Sequence, residues 1–288
     1  MPSRKLALLL AVGALLGSSA NITKLGLLAG WTPVAFLFWS MLGAGVCLMA
    51  LAVAAGVKPR FNREGLLYAL ISGLISIAAP NLLGYAAIPH VGAGFVALSF
   101  AFPAILTYAM ALSLRMETFA VVRAGGLLCG FLGIVTLALA KPQNAVSISP
   151  WAFAALAAPL FLAMGNIYRT RRWPADAAPL SLAPGMLLAG AALVGVFAAL
   201  FGFSIGAPTL STGAGYPLAA QIAATTLTYA LYFTLQKLAG PVYLSQIGSV
   251  GGVVGVGIAV LVLGEAAPPA LYLATAMIVA GVVLVSRR

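Results

Sequence analysis

The chain predicts an all-α integral membrane protein of ten transmembrane helices, arranged as two inverted five-helix repeats around a central cavity. Three observations carry this. Hydrophobic residues make up 63% of the 288 positions and charged residues only 7%, far from the balance of a water-exposed domain. Apolar runs near the ~20 residues a bilayer requires follow one another along almost the whole length. The second half also repeats the first: a shift of 145 positions carries Ala20-Asn21-Ile22 onto Gly165-Asn166-Ile167, Met41 onto Met186 and Gly45 onto Gly190. Later in each half a shift of 148 carries Glu117 onto Glu265, Gly133 onto Gly281 and Val135 onto Val283.

Ten spans fit the first half at 5–23, 33–54, 65–88, 92–114 and 120–140, and the second at 151–168, 180–203, 216–236, 242–263 and 269–285. The repeats are therefore 1–143 and 144–288. Short connections with turn chemistry separate the spans, such as Val57-Lys58-Pro59-Arg60 and Gly264 to Pro269. An odd number of spans per repeat inverts the second repeat in the membrane, which is the pattern of transporters whose site lies between the halves.

The basic residues orient the spans. With the N-terminus in the cytoplasm, Arg4, Lys5, Lys58, Arg60, Arg63, Arg115, Arg123, Arg169, Arg171, Arg172, Lys237, Arg287 and Arg288 face inward, and only Lys24 and Lys141 face outward. This asymmetry predicts both termini in the cytoplasm. It also accounts for the net charge of +11 without nucleic acid as a partner. The loop Arg169-Thr170-Arg171-Arg172 is expected to set topology and meet anionic lipid headgroups. Arg4-Lys5, the apolar run and Ser18-Ser19-Ala20 have the look of a signal peptide, but cleavage would leave nine spans and remove Asn21, so the first helix is expected to stay. Cys47 and Cys129 fall within spans and read as reduced packing residues.

No carboxylate lies mid-span: Glu64, Glu117, Asp176 and Glu265 sit in loops or at span ends. That argues against a tight binder of cationic drugs and against an intramembrane hydrolase. With one histidine, a metal centre or a His-dependent catalytic set has nothing to be built from. An enzyme is therefore not expected, and neither is a cofactor or a metal.

The polar and aromatic residues that remain define the candidate substrate site: Asn21, Pro80, Asn81, Tyr85, Phe100, Pro103, Asn166, Thr226, Tyr229, Tyr232, Gln246 and Ser249, with His90 as a rim or proton-sensing residue. They fall on the first, third, fourth, sixth, eighth and ninth spans, which pair across the repeat. Pro80, Pro103 and Pro159 each remove a backbone N–H and free a carbonyl of the preceding turn. In a membrane such groups must be met by protein or by cavity water. Amides, hydroxyls and freed carbonyls suit a zwitterion, and the aromatic faces suit an apolar side chain. The same residue types also serve as kinks or hold helices together. The glycines from Gly248 to Gly257 read as close-packing positions, with bending of the ninth helix as the alternative.

Ten spans, five-plus-five inverted repeats, and the turns Leu114-Arg115-Met116-Glu117 and Leu263-Gly264-Glu265 before the last helix of each repeat resemble the drug/metabolite transporter superfamily, in its ten-helix EamA-type branch. More narrowly, the chain is similar to the YddG-type aromatic amino-acid exporters. The resemblance implies a basket-like bundle and export of amino acids, aromatic and other neutral ones, across the bacterial inner membrane. The membrane glutamate of the family's four-helix relatives has no counterpart between Gly13 and Asn21. Another small neutral solute, such as a nucleoside, sugar or drug, is the alternative cargo, and a lipid-handling protein a further one. A ten-helix unit with its own cavity is expected to be a monomer.

Overall fold

The structure, a computed structural model, describes residues 2–83, 87, 102–139, 150–208, 213–262 and 270–286. Among them there are helices and turns and no strand. Ten helical segments follow in order: α1 Pro2–Leu28, α2 Pro33–Ala54, α3 Arg63–Leu83, α4 Phe102–Ser113, α5 Val121–Leu139, α6 Pro150–Arg171, α7 Pro179–Phe201, α8 Gly215–Leu244, α9 Ile247–Leu261 and α10 Leu271–Ser286. Five of them, α1, α2, α3, α7 and α8, are long and apolar enough to cross a bilayer. The chain is a multi-pass membrane protein.

The helix starts follow local chemistry. Thr32 caps α2 by accepting the Ala35 N–H, with Pro33 in the first position, and Asn62 caps α3 by accepting the Gly65 N–H. Gly202, at φ 71°, closes α7 in a left-handed conformation that only glycine adopts freely. Trp31 and Trp39 of the α1–α2 end donate their indole N–H groups to the carbonyls of Ala214 and Ile205. They tie the α7–α8 connection to the same end of the bundle.

The packing pairs fall into a pattern. α1 lies against α8 and α9, α6 against α3 and α4, α2 against α7 and α8, α7 against α3, and α5 against α10. Exchanging helices 1–5 for 6–10 turns α1–α9 into α6–α4, α1–α8 into α6–α3, and α2–α8 into α7–α3. The crossings are made close by glycine. A Cβ at Gly17 would stand 2.4 Å from the Gly251 carbonyl oxygen and 2.8 Å from the Gly255 nitrogen. One at Gly281 would stand 2.6 Å from the Gly126 oxygen and 2.7 Å from the Gly130 nitrogen. The α1–α9 and α5–α10 pairs are thus backbone-to-backbone contacts of the small-residue kind. Gly252 and Gly257 face open space, so only part of the glycine run in α9 has a packing role.

Several boundaries differ from expectation. α6 runs on through Arg171, because nothing in Arg169-Thr170-Arg171 breaks a helix. The α8 segment breaks at Gly240 (φ 78°, ψ 178°) before Pro241, inside the connection expected at 237–241. α3 contains a π-helical turn over Leu74–Ala78, in which the Ala79 N–H reaches back to the Leu74 carbonyl. Pro80 explains the placement: lacking an N–H, it cannot bond the Ser76 carbonyl, and a widened turn absorbs the misfit. Cys47 is exposed and free, and Cys129 is free, its thiol directed at the Met277 carbonyl.

Gly17→Ala should destabilise the purified protein by about 1–3 kcal/mol through overpacking. Gly252→Ala, where space is open, should leave the thermal midpoint in detergent unchanged.

Candidate functional site

Among the described residues the largest fully buried side chain is Arg169, 1% exposed. It was expected in a cytoplasmic loop against lipid headgroups. Instead it points from the last turn of α6 into the bundle. The correction has a physical cause: the extra turn of α6 rotates Arg169 onto the inner face of the helix and leaves Arg171 and Arg172 outward.

The guanidinium is held by neutral groups. Its Nε–H donates to Gln236 Oε1 at 2.9 Å, and Nη2 donates to Asn166 Oδ1 at 2.8 Å and to the Tyr232 hydroxyl. Nη1 donates to the Ser76 hydroxyl, which the π-helical turn of α3 presents. The charge also lies 5.1 Å from the Tyr232 ring centroid, within cation–π range. The cluster is cross-braced: Tyr232 donates to Asn166 Oδ1 at 3.0 Å, and Gln236 Nε2 donates to the Asn166 carbonyl and the Thr170 hydroxyl, each at 3.0 Å. Asn166 reaches α4 as well, donating to Thr107 Oγ1 at 3.3 Å. One cation thus joins α3, α6 and α8. A buried charge is ordinarily paired with an opposite one; here every bond the guanidinium makes among the described residues is to a neutral acceptor.

Aromatic surface flanks the cluster. The Tyr229 ring lies 5.5 Å from that of Tyr232, and Phe233 and Trp173 continue the row. An open surface cavity of about 440 Å³ lies between Tyr168, Arg171 and Arg172. A second, apolar cavity of about 660 Å³ lies between α9 and α10, from Val253 and Gly257 to Tyr272 and Ala276.

The expected site residues divide into groups. Asn166, Tyr232 and Tyr229 come together around Arg169. Asn21 is buried in α1 and donates to the carbonyls of Gly17 and, across the crossing, Gly255 of α9 at 3.0 Å. Pro80 is buried behind the π-helical turn, and Asn81 is half-buried with its amide on the Ile77 carbonyl at 2.7 Å. Pro103 is buried in the first described turn of α4. Thr226 bonds its own helix at the Ile222 carbonyl. Gln246 and Ser249 are buried at the start of α9, and neither amide atom of Gln246 has a partner among the described residues. Tyr85, Phe100 and His90 lie outside the described residues, as does Glu265. Arg169, Gln236 and Ser76 were not anticipated. A signal existed: Asn21-Ile22-Thr23-Lys24 and Asn166-Ile167-Tyr168-Arg169 match in their fourth position too.

Comparison with known proteins agrees with this architecture. Residues 4–139 match the EamA-like transporter family. A solved structure described as "Crystal structure of protein" has a TM-score of 0.82 at 21% identity, over 98% of this chain and 96% of its own; it shows the same fold. None of the curated proteins compared matches the chain. The family match points to a membrane transporter of small solutes rather than an enzyme.

Gln236→Leu should destabilise the protein by about 1–3 kcal/mol, because it strands the Arg169 Nε–H and the Asn166 carbonyl in a dry interior. Thermal unfolding in detergent checks this. Thr226→Val, which removes only a bond within α8, should have a much smaller effect.

Proposed function

We propose that the protein is an EamA-type exporter of amino acids, aromatic and other neutral ones among them, in the bacterial inner membrane with both termini cytoplasmic. The two halves, 1–143 and 144–288, work as inverted repeats that rock against each other around a site between them. The exchange relation of the helix pairs supports the repeats, and the short EamA-like turns at Glu117 and Glu265 support the family. The protein acts as a monomer within the lipid.

The observation that carries the substrate class is the Arg169 guanidinium with neutral partners only. Guanidinium forms charge-assisted, two-pronged bonds to carboxylates. Neutral acceptors hold it in place but yield to a carboxylate, whereas a resident glutamate would compete with the cargo. Arg171 and Arg172, exposed at the end of α6, raise the local concentration of anionic groups. Tyr229 and Tyr232 then offer ring faces to an apolar or aromatic side chain. A nucleoside or sugar has no group that needs Arg169.

Flux in proteoliposomes tests this reading. Labelled phenylalanine should show saturable flux, competed by other neutral amino acids and not by phenethylamine, which lacks the carboxylate. Arg169→Gln should cut that flux at least tenfold, since a hydrogen bond to a charged group is worth about 1.5–3 kcal/mol. Asn81→Ala should lower it several-fold with an unchanged thermal midpoint. Competition by nucleosides or sugars instead, with amino acids inert, would reject the assignment.

A further inference from the structure

The connection between α6 and α7 closes one end of the Arg169 cluster, and it hangs on a single carbonyl. Within it Pro174 and Ala177 are buried, while Ala175 and Asp176 are exposed. The Ala177 N–H bonds the Pro174 carbonyl at 3.1 Å, and Asp176 between them holds φ at 57°, a left-handed conformation that is strained for a residue with a Cβ. The Ala177 carbonyl accepts two bonds, from the Trp173 indole N–H at 3.1 Å and from the Lys237 ammonium of α8 at 2.7 Å. Lys237 also lies 5.7 Å from the Trp173 ring centroid. The Trp173 ring meets Tyr68 of α3 edge-on at 6.4 Å and Phe233 of α8 at 5.9 Å. Both are buried beside the cluster: the Tyr68 hydroxyl points at the Arg169 carbonyl at 3.5 Å, and Phe233 follows Tyr232.

This closure is held unevenly. Behind it Arg169, Asn166, Tyr232 and Gln236 are all buried, and hydrogen bonds in such a dry site are strong. Lys237 is exposed, so water competes for its bond to the connection. The two holding side chains are also neighbours. Gln236 accepts from Arg169 Nε, and Lys237 donates to Ala177, both from one turn of α8. Just beyond that turn the helical backbone breaks at Gly240, and Pro241 has no N–H with which to bridge the break. The turn is therefore free to shift without carrying α9 with it.

We propose that the α6–α7 connection is a gate over Arg169 and that Lys237 is its latch. With Lys237 on the Ala177 carbonyl, the Trp173 ring fills the gap between Tyr68 and Phe233, and Arg169 is out of reach from this end. When the substrate's carboxylate takes the guanidinium, Gln236 loses that partner. The turn from Gln236 to Ala239 then moves about Gly240, Lys237 leaves Ala177, and Trp173 swings out with the connection. Binding opens the gate, and the empty protein keeps it shut. This rests on the transporter reading with cytoplasmic termini, in which the gate faces the cytoplasm.

Accessibility tests the gate without a known substrate. Ser72 is buried on α3, one turn from Tyr68 and one from Ser76, so a cysteine there lies on the same face, behind the gate. In protein with Cys47 and Cys129 replaced by alanine, Ser72→Cys is labelled in reconstituted vesicles with a membrane-impermeant methanethiosulfonate reagent, added on the gate side. Lys237→Met, which keeps the apolar stem and loses the donor, and Trp173→Leu should each raise the labelling rate several-fold. Lys237→Arg should label as the parent. A second reporter, Thr225→Cys, buried in the other half of α8, should stay within twofold of the parent throughout. Equal rises at both reporters would mean a general loosening of the bundle and would overturn the proposal. Ser72→Cys labelling within twofold of the parent in both Lys237→Met and Trp173→Leu would overturn it as well. Phenylalanine should raise Ser72→Cys labelling in the parent and not in Arg169→Gln. Labelling that responds to Lys237→Met but to no amino acid would reject the cargo and leave the gate standing.

Discussion

A positive charge inside a membrane protein has to be stabilised by something, and here it is stabilised by dipoles. The Arg169 guanidinium draws its bonds from an amide of α8, an amide of its own helix, a tyrosine hydroxyl and a serine hydroxyl. Each of those groups is in turn fixed by the backbone feature that presents it. The π-helical turn before Pro80 offers Ser76, the unbroken last turn of α6 brings Arg169 inward, and the length of α8 carries Tyr232 and Gln236 to the same level. Remove the charge and three helices lose their common contact. Add a carboxylate to the protein and the charge would be held too firmly to let go.

The remaining helices answer to a different constraint. Lipid gives apolar surfaces no reason to associate, so contact area and backbone approach decide which helices touch. Gly17, Gly251 and Gly255 bring α1 onto α9, and Gly126, Gly130 and Gly281 bring α5 onto α10. Between these tight pairs the aliphatic core of α2, α7 and α8, with Leu37, Met41, Met186 and Leu187 at its centre, fills the bundle.

The sequence discloses the helical, membrane-embedded fold because a bilayer tolerates few alternatives. A run of some twenty apolar residues without charge has one outcome, and turn residues mark where each run stops. The site was harder to read for the same reason. Near a span end the usual inference places every basic residue in water, and that reasoning sent Arg169 to a loop with Arg171 and Arg172. Only the register of one extra helical turn separates the buried cation from its exposed neighbours, and composition does not encode register. Gly240-Pro241 reads as a connection, and the helical backbone does break there. Asn166 and Tyr232 stand out in the sequence because the first sits at a matched repeat position and the second lies in a polar stretch of an apolar helix. Gln236, at the edge of the same stretch, was taken as its end.

The crossing of α1 on α9 has a mechanical consequence. Its contact is close: backbone meets backbone at Gly17, Val250 and Val254 of α9 pack beside it, and the Asn21 amide bonds the Gly255 carbonyl across it. Lys24 lies seven residues beyond Gly17, a lever arm of about 10 Å at about 1.5 Å of rise per residue. Tilting α1 by about 20° about that point moves the arm by about 3–4 Å, more than a hydrogen bond tolerates before it breaks. A tilt of that size therefore displaces the Lys24 end of α1 without a bend in the helix.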